Sequence, residues 1–217
     1  MPHEDQVESA KRVLDPQDRI AEVLFGVIMV LTYTGSLSVA QAGRDDVRAM
    51  LIGALGCNVA WGIIDGVFYL MSSVASKQST LTMLAAVRAA PDTRAVARAL
   101  PPAVAAVLEP AMLDALRESV RKVPEPPKLA RLDKTDAIGA LGVFLLVFLS
   151  IFPLILPFFF MHNAASAVRV SNGIALLIMA VAGAAYGRVI GRSPWAFGAG
   201  MVLLGSLLVG LVMALGG

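Results

Sequence analysis

The sequence predicts an all-α, polytopic integral membrane protein with five transmembrane helices and a small cytoplasmic helical insert between helices two and three. Three observations lead there. The 217-residue chain is 57% hydrophobic and only 16% charged, against about 25% charged residues in a soluble domain. The charges are clustered, leaving residues 23–43, 49–76, 137–168, 170–187 and 193–217 almost free of them; a spanning helix needs roughly 17–25 such residues. A single acid, Asp65, stands alone in the apolar run between Arg48 and Lys77.

Residues 1–19 are polar. Val7, Lys11 and Leu14 give them a weak helical period that Pro16 interrupts, so the segment reads either as a helix on the cytoplasmic surface or as a tail. No cleavable signal is expected, because the first apolar run follows a charged segment and is long enough to span. Spans one and two occupy residues 20–76. The first, 20–42, has a polar second half of Thr32, Tyr33, Thr34, Ser36 and Ser38, hydroxyls of a kind that bond back to the preceding turn. The second, 50–73, carries Asn58, Asp65 and Ser72 at seven-residue intervals, close to two helical turns. Trp61, Gly62 and Tyr69 fall near the same side. That stripe is expected to face other helices or water, since an acid facing lipid would be left unpaired.

Residues 77–134 form the insert, polar, Ala-rich and punctuated by proline. A short helix is expected over 78–90, ended by Pro91. A second is expected over 92–100, ended by Pro101 and Pro102, and a further piece runs to Leu108. Glu109 then precedes Pro110, a favourable first-turn residue, which predicts a helix over 110–123. So small a bundle holds too little apolar surface to stand alone, and it is expected to dock on the membrane helices or on a second subunit. Residues 135–217 hold the last three spans. The stretch 137–168 is too long for one straight span and is expected to tilt, to overrun the bilayer, or to break near Pro153 and Pro157. Gly183, Gly187 and Gly191 in the fourth span, and Gly198, Gly205 and Gly210 in the fifth, predict faces where membrane helices approach closely.

Basic residues set the orientation. Lys11, Arg12 and Arg19, ten Lys or Arg between Lys77 and Lys134, and Arg188 with Arg192 fall on one side of a five-span chain; Arg44, Arg48 and Arg169 fall on the other. The positive-inside rule then puts the N-terminus in the cytoplasm and the C-terminus outside. The composition fits a bacterial cytoplasmic membrane, with an organelle membrane as the alternative. The basic residues have no interleaved aromatics, so no nucleic-acid partner is expected. Cys57, the only cysteine, excludes an intrachain disulfide and a cysteine-based zinc site.

Asp65 is the leading site candidate, as a ligand for a divalent cation or a proton carrier; a carboxylate at mid-membrane costs about 2.5–3.5 kcal/mol on insertion scales and is seldom kept without a use. The alternative is a packing acid satisfied by a neighbouring hydroxyl or amide. Met29 and Met71 are softer candidates, because thioether sulfur favours transition metals over calcium or magnesium; among ten methionines core filling is the competing role. Two readings stand for Glu22, a ligand at the cytoplasmic mouth and a helix-start acid favoured by the helix dipole. In the insert, Asp114 and Glu118 share a helix face and lie near Glu109, Met112 and Glu125, a set able to gather cations. Arg117, Arg121 and Lys122 on the same helix favour a solvated face instead. His162, near the outer end of span three, reads as a surface residue. The chain has no G-x-S-x-G with a usable histidine, no H-E-x-x-H and no Walker A lysine motif, and no enzymatic activity is expected.

The order of spans resembles the vacuolar iron transporter family, whose members have two spans, a cytoplasmic helical insert and three further spans. Pro124-Glu125-Pro126-Pro127 before span three resembles the family's acidic proline turn. Phe152-Pro153-Leu154-Ile155-Leu156-Pro157-Phe158 resembles its proline-rich end to that span, with one extra residue between the prolines. Gly187-Arg188-Val189-Ile190-Gly191-Arg192-Ser193-Pro194, followed by Gly198 and Gly205, resembles its junction into span five. The resemblance implies a homodimer that moves Fe²⁺ or Mn²⁺ out of the cytoplasm in exchange for protons, with no tightly bound cofactor. It implies that Asp65 and Met71 fill the places of the family's acid and methionine in span two. The family's span-one acid, which precedes a glycine, has no counterpart in Gly26-Val27-Ile28-Met29-Val30. The insert is basic here, where the family's is rich in Glu and Met. The resulting expectation is a divalent-metal transporter with Asp65, Met71, Met29, Glu22, Glu118 and Met112 as metal-handling residues. Its alternative is a membrane scaffold or regulatory subunit that retains the fold without transport.

Overall fold

The computed structural model describes residues 14–35 and 44–214, and among them every regular element is a helix. In chain order these are α1 (Pro16–Gly35), α2 (Arg44–Ala89), α3 (Thr93–Ala99), α4 (Pro102–Ala105), α5 (Pro110–Lys122), α6 (Lys134–Ser150), α7 (Phe152–Phe160), α8 (Ala164–Val189) and α9 (Pro194–Ala214). The chain divides into two compact units, Met1–Tyr69 with Ala137–Gly217, and Leu70–Asp136.

Among the described residues four stretches are long and apolar enough to cross a membrane: Asp46–Ala89, Lys134–Phe160, Ala164–Val189 and Pro194–Val212. They fit an integral membrane protein. The expected first span is not among them. Its described part, α1, carries Asp18, Arg19 and Glu22 in its first turns. The remainder, residues 36–42 with Ser36 and Ser38, lies outside the described residues, as does most of the expected N-terminal segment.

Two boundaries differ from the sequence expectation. The short helix over 78–90 is the last part of α2, a single helix of 46 residues about 69 Å long. No Gly or Pro lies between Gly66 and Pro91 to stop it, and the Thr80 and Thr82 hydroxyls donate back to the Ser76 and Gln78 carbonyls at 3.1 and 2.9 Å. Residues 137–168 divide between two spans. The helix is interrupted at Ile151, ahead of Pro153, which falls in the first turn of α7, where a missing N–H costs little; the expected break at Pro157 does not occur, and that proline lies inside α7. The Asn163 side chain caps the start of α8 by accepting the Ser166 N–H at 2.9 Å.

In the first unit, Leu24, Val27, Val30 and Leu31 of α1 pack with Ala54, Ile151, Leu154, Ala175 and Met179. Small residues bring α8 and α9 together. A Cβ at Gly187 would lie 3.0 Å from the Ser193 carbonyl oxygen, and one at Gly198 would lie 3.0 Å from that of Ala180. Gly191 acts through its backbone instead. Its φ of +68° forms the turn between the two helices, a conformation glycine adopts without a steric penalty. Gly210 faces open space.

In the second unit, Val87, Ala90, Val96 and Leu113 form a small core. Asp92 caps α3 by accepting the Ala95 N–H at 2.7 Å, and α5 starts at Pro110, after Glu109, as the sequence predicts. Arg88 donates to the Val120 and Val123 carbonyls at 3.1 and 2.6 Å, and Arg121 donates to those of Arg88 and Ala90. These bonds satisfy carbonyls at the ends of α2 and α5, where intrahelical donors run out.

Candidate functional site

One face of α2 is built to lie close against α6. The Asn58 amide donates to the Val147 carbonyl at 3.2 Å. A Cβ at Gly62 would stand 3.0 Å from the Phe144 ring, and one at Gly66 would stand 3.2 Å from the Ala140 carbonyl oxygen. Gly62 and Gly66, four residues apart, are thus a small-residue contact of the kind membrane helices use for close approach. Asp65 sits between them in sequence, half-buried.

Helix α1 meets α2 nearby. The Phe25 and Trp61 rings touch edge to face, with centroids 5.6 Å apart and planes at 78°, a favoured aromatic geometry. Glu22 lies about one turn before Phe25, and Asp65 about one turn after Trp61. The two carboxyl groups come close enough to repel each other electrostatically, and Asp18, one turn before Glu22, adds a third negative charge. Glu22 is half-buried and Asp18 exposed. One Asp65 oxygen, Oδ2, is buried with no hydrogen-bond partner among the described residues, and so is Oδ1 of Asn58. Asn58 is 1% exposed; its amide N–H₂ is committed to Val147, which leaves its carbonyl oxygen available to an incoming donor or cation.

The other predicted residues are placed differently. Met29 shares the Glu22 face of α1, seven residues on, and is half-buried. Met71 is 62% exposed and lies six residues beyond Asp65, on another face of α2. Ser72 is exposed as well; the polar stripe continues at Ser73, which donates to Asp136. In the second unit, Met112 is 53% exposed. Glu118 pairs with Arg121 at 3.3 Å and lies 3.9 Å from Arg117, and Asp114 pairs with Arg117 at 3.4 Å. These arginines neutralise the acids, as the solvated-face reading predicts, and Met112 and Glu118 gather no site. Among the described residues no group of three or more His, Cys, Asp or Glu side chains is close enough to hold a metal ion.

Two features were not foreseen from the sequence. Ser171 Oγ and Asn172 Oδ1 on α8 are also buried with no hydrogen-bond partner among the described residues; the sequence signal is a Ser-Asn pair inside an apolar span. The second is an ionic cluster in the second unit. Lys77 donates to Asp133 at 2.8 Å and to Asp136 at 2.6 Å, and the Asp133 N–H donates to Asp136 at 2.7 Å. The Lys77 hydrogen bond, with the Asp136 and Thr135 backbone N–H groups, holds the Asp133 carboxyl below its ordinary range.

No protein-family model matches the chain, and no curated protein matches it.

Proposed function

We propose that the protein carries a divalent cation, Fe²⁺ or Mn²⁺, out of the cytoplasm in exchange for protons, with Asp65 as the central group and Glu22 as its partner. The observation that carries this reading is the Phe25–Trp61 contact, which brings the Glu22 and Asp65 carboxyl groups near enough to repel each other. Two carboxylates forced together in poor solvent favour a cation between them or a proton shared by them, and alternation between those states is what exchange requires. Glu22 takes the role left open by the missing acid before Gly26: it stands one turn earlier on the same helix. The Asn58 carbonyl oxygen and the Met29 thioether lie further along the same helix faces as a hard and a soft donor. Two carboxylates do not complete a coordination shell, so the reading includes a homodimer whose second copy supplies further ligands. It also includes a fifth span formed by α1 with residues 36–42, a cytoplasmic location for the insert, and an N-in, C-out arrangement in a bacterial inner membrane.

A scaffold or regulatory subunit is the second reading, favoured by the absence of a three-ligand group among the described residues. Proteoliposome flux separates the two. Uptake of Mn²⁺ or Fe²⁺ driven by a pH gradient and abolished by Asp65→Asn supports transport. A wild-type protein that moves neither metal, or an Asp65→Asn variant that moves them unchanged, overturns it.

A further inference from the structure

In the first unit, where α2 begins and α7 ends, the helices leave a cavity of about 530 Å³, within the ~300–1,000 Å³ usual for small-molecule sites. Its walls are apolar. Leu51, Ile52 and Leu55 line one side, and Phe158 and Phe159 the other; Ile52 is 61% and Phe159 70% exposed. The side-chain donors are confined to one end, where Arg48 and His162 stand. Both are exposed, and neither pairs with an acid among the described residues. Asp46, two residues before Arg48 on α2, is not part of the lining.

The cavity is lined by α2, α7 and, through Ala164 and Ala167, α8, and all three belong to stretches able to cross a membrane. Its apolar walls therefore lie at the depth of acyl chains and its donors toward the headgroups. A guanidinium matches two phosphate oxygens at once, and an imidazole offers an N–H in either neutral tautomer. From Arg48 to Leu55 the wall descends about 10 Å along α2, which suits a chain lying below its headgroup. A free anion would have no use for that wall. A helix from a second copy would cover Arg48 without neutralising it unless it brought an acid of its own.

We infer that this cavity is a binding site for an anionic phospholipid, with the phosphate on Arg48 and His162 and an acyl chain along Leu51, Ile52, Leu55 and Phe158. The site is separate from the Glu22–Asp65 pair and does not depend on the transport reading.

Native mass spectrometry of the detergent-purified full chain, delipidated and titrated with phosphatidylglycerol or phosphatidylcholine, tests it. The wild type is expected to retain phosphatidylglycerol in preference. Arg48→Gln is expected to bind it roughly fivefold more weakly, Arg48→Lys to keep most of the binding, and Ile52→Trp, which fills the wall, to lose both lipids. Size-exclusion profiles identify any variant that fails to fold, and the comparison of the two lipids on the wild type stands without the variants. Equal retention of the two lipids, or an unchanged preference in folded Arg48→Gln, overturns the proposal. So does displacement of the lipid by an equal concentration of inorganic phosphate, which would mark a free-anion site. Lipid-independent disulfide crosslinking of Ile52→Cys between two copies, in a Cys57→Ala background, would overturn it in favour of a subunit contact.

Discussion

Glu22 on α1 and Asp65 on α2 each stand about one turn from the edge-to-face contact of Phe25 with Trp61, near enough for their carboxyl groups to repel each other. The aromatic pair is one contact between the two helices, and their register determines how near the acids stand. A slip of one residue would turn Asp65 by about 100° around its helix axis and separate the two carboxyl groups.

The pair is expected to act as a unit. Asp65→Asn should lower metal flux at least tenfold, about 1.4 kcal/mol at the barrier, and Glu22→Gln should lower it less. In the double variant the Glu22 change should add little, since groups that share one interaction are non-additive. Flux in proteoliposomes checks this, and full additivity would show that the two acids work apart.

The contact of α2 with α6 should not tolerate bulk. Gly66→Leu places side-chain atoms against the Ala140 carbonyl, whose oxygen already lies 3.2 Å from where a Cβ would stand. Overpacking of this kind costs about 1–3 kcal/mol. Thermal unfolding in detergent should fall clearly below the wild type, whereas Gly210→Leu, in open space, should be close to neutral.

The small core of the second unit depends on Leu113, 5% exposed. Leu113→Ala should cost about 2–5 kcal/mol. The expected readout is faster hydrogen exchange in α3 and α5, with exchange in α8 and α9 unchanged.

Asp133 makes the second unit sensitive to acid. Its carboxyl titrates below the ordinary Asp value of about 3.9 because Lys77 donates a hydrogen bond to it. The folded state therefore binds the proton less readily than the unfolded chain. The stabilisation is complete above the ordinary value and disappears as pH falls through the lowered one. Hydrogen-exchange protection over residues 123–136, taken relative to the free-chain rate at each pH, should fall on acidification below about pH 4, and Lys77→Met should flatten that dependence.

Orientation is open to a labelling test. With Cys57→Ala as background, Ser119→Cys on α5 should react with a membrane-impermeant maleimide only when the cytoplasmic side is exposed. Labelling from outside intact cells would reverse the proposed topology.

Much of this architecture is legible in the sequence, for identifiable reasons. Asp65 stands out because one charge in an apolar run is conspicuous, and α5 can be placed because a proline after Glu109 announces a helix start. The continuity of α2 through Lys77 is hidden because polarity there reads as a boundary, although polar residues other than Gly and Pro do not by themselves stop a helix. The interruption at Ile151 falls a few residues earlier than expected, since a proline acts on the turn before it. The meeting of Glu22 with Asp65 is not legible at all. Nothing local encodes the register between α1 and α2; it follows from Phe25 on Trp61 and from the two glycines that set α2 on α6. Met71 departs from expectation for a related reason, because nearness in sequence to Asp65 is not a shared face.

One further consequence follows from the solitary position of Asp65. The last helix, α9, has no ionised side chain, and in α8 the charges stand near the ends, at Arg169 and Arg188. An electrical potential across the bilayer therefore has almost nothing to grip except the acids of α1 and α2. At about 2.3 kcal/mol per elementary charge for each ~100 mV, the energised state of the cell would act on this molecule through one or two carboxyl groups, and neutralising Asp65 would reduce its response to voltage.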